Sequence, residues 1–308
     1  KCKAPYYYAD SLLQGFRNSH WIVGGCTQDY GSTTLFPATN ITSCTPQGRA
    51  GSFSHNDETA RPDYYSVMLE GNGVFAEMTG KSRSAIFRFT YPADSCVYLI
   101  VNPNSDEGEG YIELDTLQKE IRGYNPIHRI YQGKGLPTGH AGHFVVKFTD
   151  EIVSFGTYEN DTITEGNISV CKKKNIGVYV QLRNAGQPII VRTASSFVSI
   201  DGARRNLDVE IPHTDFDETR KELTNIWEHH LGRIEVETSD TVHLRKFYGS
   251  LYRTSFLPRT INDIDGQYPA FSSGKTTHTT RAYYDDFSMW DTYRALHPLL
   301  VLLSPTQS

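Results

Sequence analysis

The chain has 308 residues, of which 38% are hydrophobic and 21% are charged, and its formal net charge at pH 7 is -5. This length and composition fit one large packed domain or two ordinary ones, and the slightly acidic balance gives no sign of a nucleic-acid-binding surface. No apolar run reaches the roughly 18 to 20 residues of a membrane helix, and no signal peptide is recognisable in the opening segment KCKAPYYYAD.

Three N-glycosylation sequons begin at Asn40, Asn160 and Asn167, and they predict a glycoprotein. We therefore expect the protein to be secreted, extracellular or in the secretory or lysosomal lumen. The cysteines are Cys2, Cys26, Cys44, Cys96 and Cys171. They show no CxxC spacing, which argues against a zinc site, and disulfides and buried free thiols both remain open. Because the count is odd, at least one cysteine is free or paired outside the chain.

The first two thirds of the chain show short runs of β-branched and aromatic residues separated by turn residues. The segment SVMLEGNGVFAEMTG (66–80) predicts a hairpin, because two strand-like runs flank an Asn-Gly turn. Further strands are predicted at 85–92, 96–103, 142–149, 175–182 and 187–200. Many short strands at this spacing indicate a mainly β fold, either an antiparallel sandwich or a barrel.

The pattern becomes helical after Pro212. A first helix begins with a cluster of acidic residues and ends at Gly232, and a second covers 241–257. We therefore divide the chain into a β domain over 1–212 and a helical part over 213–308. Helices with apolar faces cannot bury themselves alone, so the second part needs partners from the β domain or from further sequence.

A third helix is predicted in the segment YYDDFSMWDTYRALHPLL, which runs from Tyr283 to Leu300. Asp286 or Ser288 would cap it, and Pro298 would disturb it.

Trp290 and Asp291 would lie in the first turns of this helix. A tryptophan ring suits the apolar face of a pyranose, and a carboxylate accepts hydrogen bonds from adjacent sugar hydroxyls. Arg294, three residues after Asp291, could hold that carboxylate in place. The alternative is a core tryptophan beside an ordinary surface ion pair, which helical spacing alone does not exclude.

The segment at 283–300 resembles the signature of the glycoside hydrolase family 92 α-mannosidases. Other resemblances follow in order along the chain: GFRNSHWIVGGCTQDYGS (15–32), SHNDETARPDYYSVML (54–69), NPIHRIYQGKG (125–135), 196–237 and FYGSLYRTSFLPRTINDIDGQY (247–268). Because these segments span nearly the whole chain in order, the chain as a whole resembles a member of that family.

The resemblance implies an N-terminal antiparallel β-sandwich, a linker helix and the first helices of an (α/α)6 barrel. It implies calcium-dependent, exo-acting and inverting removal of α-linked mannose from glycans. Inversion requires a general acid and a general base roughly 6.5–9.5 Å apart. By resemblance, both carboxylates and most calcium ligands follow Ser308, in a C-terminal fragment or a second chain. The chain then matches about the first two-fifths of the family's length, and we assign no catalytic residue to it.

The resemblance also implies where the terminal mannose is held. The predicted substrate-binding residues are Trp290, Asp291, Arg294, Ser19, His20 and Trp21. The last three belong to a loop, SHWIVGGCTQDYG, that departs from the family's usual run of small residues. That departure leaves the preferred mannose linkage open.

Other acidic and histidine residues have simpler explanations. The remaining candidate carboxylates are Asp263, Asp265, Asp285 and Asp286. The first two fit an Asp-rich turn and the last two fit helix capping. For His55 and Glu58, in SHNDETARP, we prefer a turn that feeds the next strand over a contact in the cleft.

Two alternatives to the mannosidase remain. One is a non-catalytic carbohydrate-binding or structural subunit, which would not require the helix that carries Trp290 and Asp291. The other is a different enzyme with a sandwich and a helical barrel, such as an inverting disaccharide phosphorylase. A phosphorylase needs a phosphate site, and this sequence shows none.

Overall fold

The computed structural model describes residues 8–18, 33–105, 107–128, 137–270, 275–285 and 289–306. The strands of the first part are β1 (Leu12–Leu13), β2 (Thr34–Ala38), β3 (Gly51–Ser52), β4 (Glu58–Arg61), β5 (Tyr64–Leu69), β6 (Val74–Gly80), β7 (Ser84–Thr90), β8 (Val97–Asn102), β9 (Tyr111–Asp115), β10 (Glu120–His128), β11 (Pro137–Phe148), β12 (Ile152–Glu159), β13 (Thr162–Glu165), β14 (Ser169–Cys171), β15 (Ile176–Leu182) and β16 (Ile189–Ser196). The helices are α1 (Ile200–Glu210), α2 (Phe216–Leu231), α3 (Thr241–Thr254), α4 (Met289–Thr292) and α5 (Leu296–Leu303). Short strands β17 (Arg259–Thr260), β18 (Gln267–Pro269), β19 (Thr276–His278) and β20 (Tyr284–Asp285) lie between α3 and α4.

The first part is an antiparallel β-sandwich, as predicted. One sheet has nine strands in the order β14-β9-β10-β11-β16-β7-β6-β5-β4, and the other has five in the order β13-β12-β15-β8-β2. Alternate side chains of each strand point to opposite faces of a sheet. Accordingly Phe87 and Phe89 enter the core between the sheets, whereas Ile86 lies in a second cluster beneath α1.

The predicted hairpin at 66–80 is present as β5 and β6, with Tyr65 opposite Met78. Gly73 supplies the left-handed turn conformation, with a φ of 70°, that the Asn-Gly signal indicates. The runs predicted at 85–92, 96–103, 142–149 and 175–182 correspond to β7, β8, β11 and β15. The alternation of apolar residues therefore predicts these strands correctly.

Helix α1 corrects the prediction that helical structure begins after Pro212. The strand predicted over 187–200 ends at Ser196, and α1 starts four residues later. The Ser199 hydroxyl caps it by accepting a hydrogen bond of 2.9 Å from the amide of Gly202. The residues of α1 that pack beneath the sheet are Ala203 and Leu207, together with Ile211 just after it. An apolar stripe this short is hard to distinguish from the alternation of a strand, which explains why the sequence pattern does not predict this helix.

Helices α2 and α3 lie where the sequence predicts them. The Asp215 carboxylate caps α2 by accepting a hydrogen bond of 2.9 Å from the amide of Glu218, and Gly232 ends the helix. Asp240 caps α3 through the amides of Val242 and His243.

The predicted third helix is two helices. Residues 293–295 form a turn between α4 and α5, so Pro298 lies in the first turn of α5 rather than inside a longer helix. Proline has no N–H, and its ring would clash with the carbonyl four residues earlier in a continuous helix. In the first turn of a helix neither effect arises, because the N–H there has no acceptor within the helix and the residue four positions earlier lies outside it. The predicted caps, Asp286 and Ser288, lie outside the described residues.

The helices leave much of their apolar surface in contact with solvent. Helix α5 has the sequence LHPLLVLL and contains no buried residue, and α3 buries only Leu251. The exposed large apolar side chains of the helical part include Ile226, Val242, Met289, Trp290, Val301 and Leu302. Apolar faces of this extent are typical of surfaces that another element covers.

Three cysteines lie in the described residues, and none of them is in a disulfide. Cys44 is buried, whereas Cys96 and Cys171 are exposed. Burial raises the pKa of the Cys44 thiol to about 11, so that thiol is protonated and inert at neutral pH. The buried-thiol alternative therefore holds for Cys44. Cys2 and Cys26 lie outside the described residues.

Candidate functional site

A buried polar junction joins the sandwich to the loop that follows α3. The Ser196 hydroxyl, at the end of β16, donates a hydrogen bond of 2.6 Å to Asp263 Oδ2. The Asn206 amide, on α1, donates one of 2.8 Å to Asp263 Oδ1. Asp263 is only 2% exposed. Three distant segments of the chain therefore meet at one carboxylate.

The neighbouring groups donate hydrogen bonds to both oxygens of the Asp263 carboxylate, so both oxygens must act as acceptors. Ser196 Oγ already accepts hydrogen bonds from the amides of Val198 and Ser199, so its own hydrogen is directed to Asp263. Asn206 Oδ1 accepts from the amide of Ile264 at 2.8 Å, which fixes the amide group with its nitrogen toward Asp263. Burial raises the pKa of Asp263, while these hydrogen bonds oppose that rise.

Two glycines permit this close approach. A Cβ on Gly202 would lie 2.3 Å from Asp263 Oδ2, which is far inside contact distance. Gly266 has a φ of 86°, and a Cβ there would lie 2.0 Å from the carbonyl oxygen of Thr279. A side chain at Gly202 would displace the Asp263 carboxylate and the Ser196 hydroxyl, and a side chain at Gly266 would clash with the backbone.

The junction extends outward through charged groups. Arg83 on the sandwich donates hydrogen bonds of 2.6 Å to the carbonyl of Asn262 and 2.8 Å to Glu210 on α1. Asp265 pairs with Arg205 on α1 and accepts a hydrogen bond from the amide of Gln267. Asp263 and Asp265 therefore hold the loop in place, as the turn interpretation predicts.

The signature residues of the predicted substrate site lie on α4 and just after it. Trp290 is 80% exposed, so it is not a core tryptophan of the described structure. Asp291 follows in the same helix. The Arg294 guanidinium donates a hydrogen bond of 2.9 Å to the Tyr293 hydroxyl and lies over that ring. Substrate contact by these residues stays a prediction, as does support of Asp291 by Arg294.

The other three predicted substrate residues, Ser19, His20 and Trp21, lie outside the described residues. Asn18, which immediately precedes them, lines a cavity of about 220 Å³ between the sandwich and Leu223 of α2. Both polar atoms of the Asn18 side chain are buried and have no hydrogen-bond partner among the residues that the structure describes. An unsatisfied buried amide is rare in native proteins, which sets Asn18 apart from the other residues of this cavity. Sequence reasoning missed Asn18, because a lone asparagine before a loop carries no signal.

The wall of this cavity carries paired charges. Asp63 is buried, and it accepts a hydrogen bond of 2.8 Å from the Thr224 hydroxyl on α2. Its ion-pair partners are Arg61 at 3.2 Å and Arg220 at 3.6 Å. Burial alone would raise the pKa of Asp63, but the hydroxyl and the two guanidinium groups hold it below its usual value. Asp63 is therefore an ionised acceptor at neutral pH.

His55 and Glu58 form the turn that the sequence predicts. Residues 55–57 are a single turn of 3-10 helix capped by Ser54, and Glu58 begins β4. His55 Nδ1 lies 2.6 Å from Glu58 Oε2, and the Tyr65 hydroxyl donates to the other carboxylate oxygen at 2.7 Å. The hydrogen bond to Glu58 raises the pKa of His55. The pair stabilises the entry to the hairpin.

All three sequon asparagines are exposed. Asn40 Oδ1 accepts a hydrogen bond of 2.9 Å from the Thr42 hydroxyl, and Asn160 Oδ1 accepts one of 2.9 Å from Asn175. Asn167 instead uses its amide nitrogen, which donates to Thr157 Oγ1 and to the carbonyl of Ser169, both at 2.9 Å. The nitrogen that a glycan would modify is thus engaged at Asn167.

The described residues contain no group of three or more His, Cys, Asp or Glu side chains that could hold a metal ion. We therefore assign no calcium ligand among these residues.

Family models match the chain along most of its length. The model of the glycosyl hydrolase family 92 N-terminal domain matches residues 1–196, and the model of the family 92 catalytic domain matches residues 202–308. A protein named "Uncharacterized secreted glycosidase" from the fungus Arthroderma benhamiae is 25% identical over 92% of this chain and 39% of its own length.

Solved structures show the same fold. A family 92 inverting mannosidase from Bacteroides thetaiotaomicron is 30% identical, with a TM-score of 0.84 over 96% of this chain. A family 92 α-mannosidase from the same bacterium is 28% identical, with a TM-score of 0.85 over 96% of this chain. The chain spans 39% and 41% of the length of these two proteins. On the match of the family models, the chain belongs to glycosyl hydrolase family 92.

Proposed function

We propose that the chain is the N-terminal portion of an inverting, exo-acting α-mannosidase that removes terminal α-linked mannose from glycans. The observation that carries the proposal is the likeness, over nearly the whole chain, to the structures of a family 92 inverting mannosidase and a family 92 α-mannosidase. A further solved structure of the second enzyme contains mannoimidazole. The exposed Trp290 on α4 supports the proposal, because an accessible indole face is what a pyranose ring would contact.

In this proposal Trp290 and Asp291 bind the terminal mannose and Arg294 supports them. Ser19, His20 and Trp21 contact the same substrate from the β domain. The general acid and base, and most ligands of a calcium ion, belong to the portion of the relatives' length that this chain does not span. The separation of the two carboxylates would then leave space for the attacking water.

The helical part supports the expectation of a larger assembly. Its apolar faces on α2, α3 and α5 remain exposed among the described residues, and the relatives are more than twice as long. We propose that further helices, on a C-terminal fragment or a second chain, cover these faces and complete the barrel. The predicted division into 1–212 and 213–308 belongs to the same proposal.

Secretion is also part of the proposal. The similar fungal protein is named a secreted glycosidase, and the three sequons fit the same compartment. None of the helices that the structure describes is both long and apolar enough to cross a membrane.

The test uses the protein purified from its source without denaturation. Native mass spectrometry asks whether a second polypeptide accompanies the chain, and an activity assay compares α-mannosides with β-mannosides and α-glucosides. We expect release of mannose from the α-mannosides only, and loss of that activity in excess calcium chelator that added calcium restores. Binding of mannosides without any hydrolysis would favour the carbohydrate-binding subunit instead. Hydrolysis by the 308-residue chain alone would refute the placement of the acid and base elsewhere.

A further inference from the structure

Residues from the loop after α3 hold the first end of the segment that carries Trp290 and Asp291. Asn262 Oδ1 accepts a hydrogen bond of 2.8 Å from the amide of Tyr283, the residue just before β20. The carbonyl of Tyr283 accepts a hydrogen bond of 3.0 Å from the amide of Ile261. Both polar groups of the Tyr283 backbone are therefore bound by two adjacent residues of that loop.

Asn262 is itself fixed, which allows it to serve as an anchor for Tyr283. Asn262 is buried, and its amide nitrogen donates a hydrogen bond of 3.0 Å to the carbonyl of Asp263. That bond orients the side chain so that its oxygen faces the amide of Tyr283. The backbone carbonyl of Asn262 accepts a hydrogen bond of 2.6 Å from Arg83 of the sandwich. The position of Tyr283 is thus tied to the sandwich through one residue.

Arg233 holds the other end of the segment. This residue follows the end of α2, and its guanidinium donates hydrogen bonds of 3.0 Å to the carbonyl of Leu303 and 2.9 Å to the hydroxyl of Ser304. The last four carbonyls of a helix have no partner within the helix, and a positive charge at that end is favourable. Arg233 therefore ties the C-terminal end of α5 to the end of α2.

Helix α4 lies between these two contacts, and its own packing does little to fix its position. It has four residues, and both Met289 and Trp290 are exposed. A helix this short has little stability of its own, because the cost of its first turn is not offset by further turns. The Thr292 hydroxyl at its end lies within hydrogen-bond distance, 2.7 Å, of His297 Nε2 on α5. The place of α4 therefore depends on how the ends of the segment are held.

We propose that Asn262 and Arg233 are positioning residues, which fix the two ends of this segment and so set where Trp290 and Asp291 stand toward the substrate. They act through those two residues and not by contact with the substrate. The inference rests on the proposed function, because it takes Trp290 and Asp291 as the residues that bind the terminal mannose. A displacement of about 1 Å at a substrate-binding group costs on the order of 100-fold in rate, so release of one end should have a measurable effect.

The first test observes the position of Trp290 directly. The chain has three tryptophans, and incorporation of 5-fluorotryptophan gives each of them a separate fluorine NMR signal. The signal of Trp290 is identified by its loss in a Trp290→Phe variant. We expect Asn262→Ala and Arg233→Ala each to shift this signal. The matched controls, Asn225→Ala and Arg245→Ala at exposed positions on α2 and α3, should leave it in place. A Trp290 signal that moves in neither test variant would overturn the inference.

A double-mutant cycle in the complete enzyme separates positioning from general support of the fold. Arg233→Ala should lower kcat/KM for an α-mannoside about tenfold at an unchanged melting temperature, and Arg233→Lys, which keeps the charge, should lose less. In an Asp291→Ala background the loss caused by Arg233→Ala should fall to about twofold, because a residue that Arg233 positions is gone. An equal loss in both backgrounds would contradict the inference.

These measurements can fail separately from the proposed function. The fluorine signals do not depend on hydrolysis, so they can overturn the inference while the mannosidase activity stands. Conversely, a native protein that releases no mannose would contradict the proposed function and would leave the displacement of the Trp290 signal unaffected.

Discussion

The Ser196 hydroxyl donates a hydrogen bond of 2.6 Å to the buried carboxylate of Asp263, and this contact joins the last strand of the sandwich to the loop after α3. The two residues are 67 positions apart in the chain. Because Asn206 of α1 bonds to the same carboxylate, the sandwich, α1 and the loop are held by one group. The segment that leads to Trp290 therefore starts from a fixed point.

We expect Asp263→Ala to lower the free energy of unfolding by about 3 kcal/mol, because two buried donors lose their acceptor. Asp263→Asn should also destabilise the chain, since its amide nitrogen would face a donor. Chemical denaturation of the purified chain measures both effects. The control is Asp265→Asn, whose partly exposed ion pair with Arg205 should matter by less than about 1 kcal/mol. Equal stability of the Asp263 and Asp265 variants would contradict a special role for Asp263.

His143 should make the chain less stable in acid. Its pKa in the folded chain is lowered to about 4, so the unfolded chain binds the proton more readily. The stability is fully present above the unfolded pKa of about 6.5 and is lost as the pH falls toward 4, by about 3 kcal/mol. His143→Gln does not titrate, so its denaturation curves should show a loss smaller by that amount. Parallel pH profiles of the two proteins would show that His143 is solvated.

The pKa of His55 is shifted in the opposite direction to that of His143, so His55 serves as an internal control. Its hydrogen bond to Glu58 raises its pKa in the folded chain. The contribution of the pair is therefore present below the unfolded pKa and is lost as the pH rises through the folded value. In His55→Gln the weakening between mildly acidic and neutral pH should be smaller than in the original chain.

Asp291→Ala in the complete enzyme should lower kcat/KM for an α-mannoside roughly 100-fold, because bound substrate hydroxyls would lose a charged acceptor. Steady-state kinetics measure this, and an unchanged melting temperature shows that the fold persists. Asp201→Ala, at an exposed position on α1, is the matched control and should leave the kinetics as they are. If Asp291→Ala behaves like the control, the residue is an ordinary surface carboxylate.

Glycan occupancy should differ among the three sequons. A glycan on Asn167 would disturb the hydrogen bonds of its amide nitrogen to Thr157 and Ser169, whereas the bonds of Asn40 and Asn160 use the side-chain oxygen. We expect higher occupancy at Asn40 and Asn160 in protein secreted from a eukaryotic host. Peptide mapping after enzymatic deglycosylation in heavy-oxygen water measures the fraction of each sequon that carried a glycan. Full occupancy at Asn167 would count against this reasoning.

The sequence predicts those features that depend on neighbours in the chain. The hairpin at 66–80 follows from alternation and its Asn-Gly turn, and the ends of α2 follow from Asp215 and Gly232. The sequence pattern does not predict helix α1, because the helix is stabilised by packing on the sheet and has no long apolar stripe. The sequence predicts a helix disturbed at Pro298, whereas the chain breaks earlier, between α4 and α5. A proline is compatible with the first turn of a helix as well as with a kink, so its position alone does not locate the break.

The candidate site divides in the same way. Trp290 and Asp291 are found by their motif, which is local. Asn18 and His143 are found only in the structure, since what distinguishes them is a polar atom without a hydrogen-bond partner among the described residues and a neighbouring cavity. The sequence predicts Asp263 correctly as a turn residue, but its buried contacts with Ser196 and Asn206 join separate elements, and no short pattern predicts them.

The most direct test of the proposed function is the anomeric configuration of the mannose that the native protein first releases. Proton NMR, recorded within the first minutes of hydrolysis of an α-mannoside, distinguishes the two anomers before they interconvert. An inverting exo-α-mannosidase predicts that β-mannose appears first and that α-mannose grows in afterwards. Initial release of α-mannose would contradict the inverting mechanism, and no release of mannose by the intact protein would contradict the mannosidase itself.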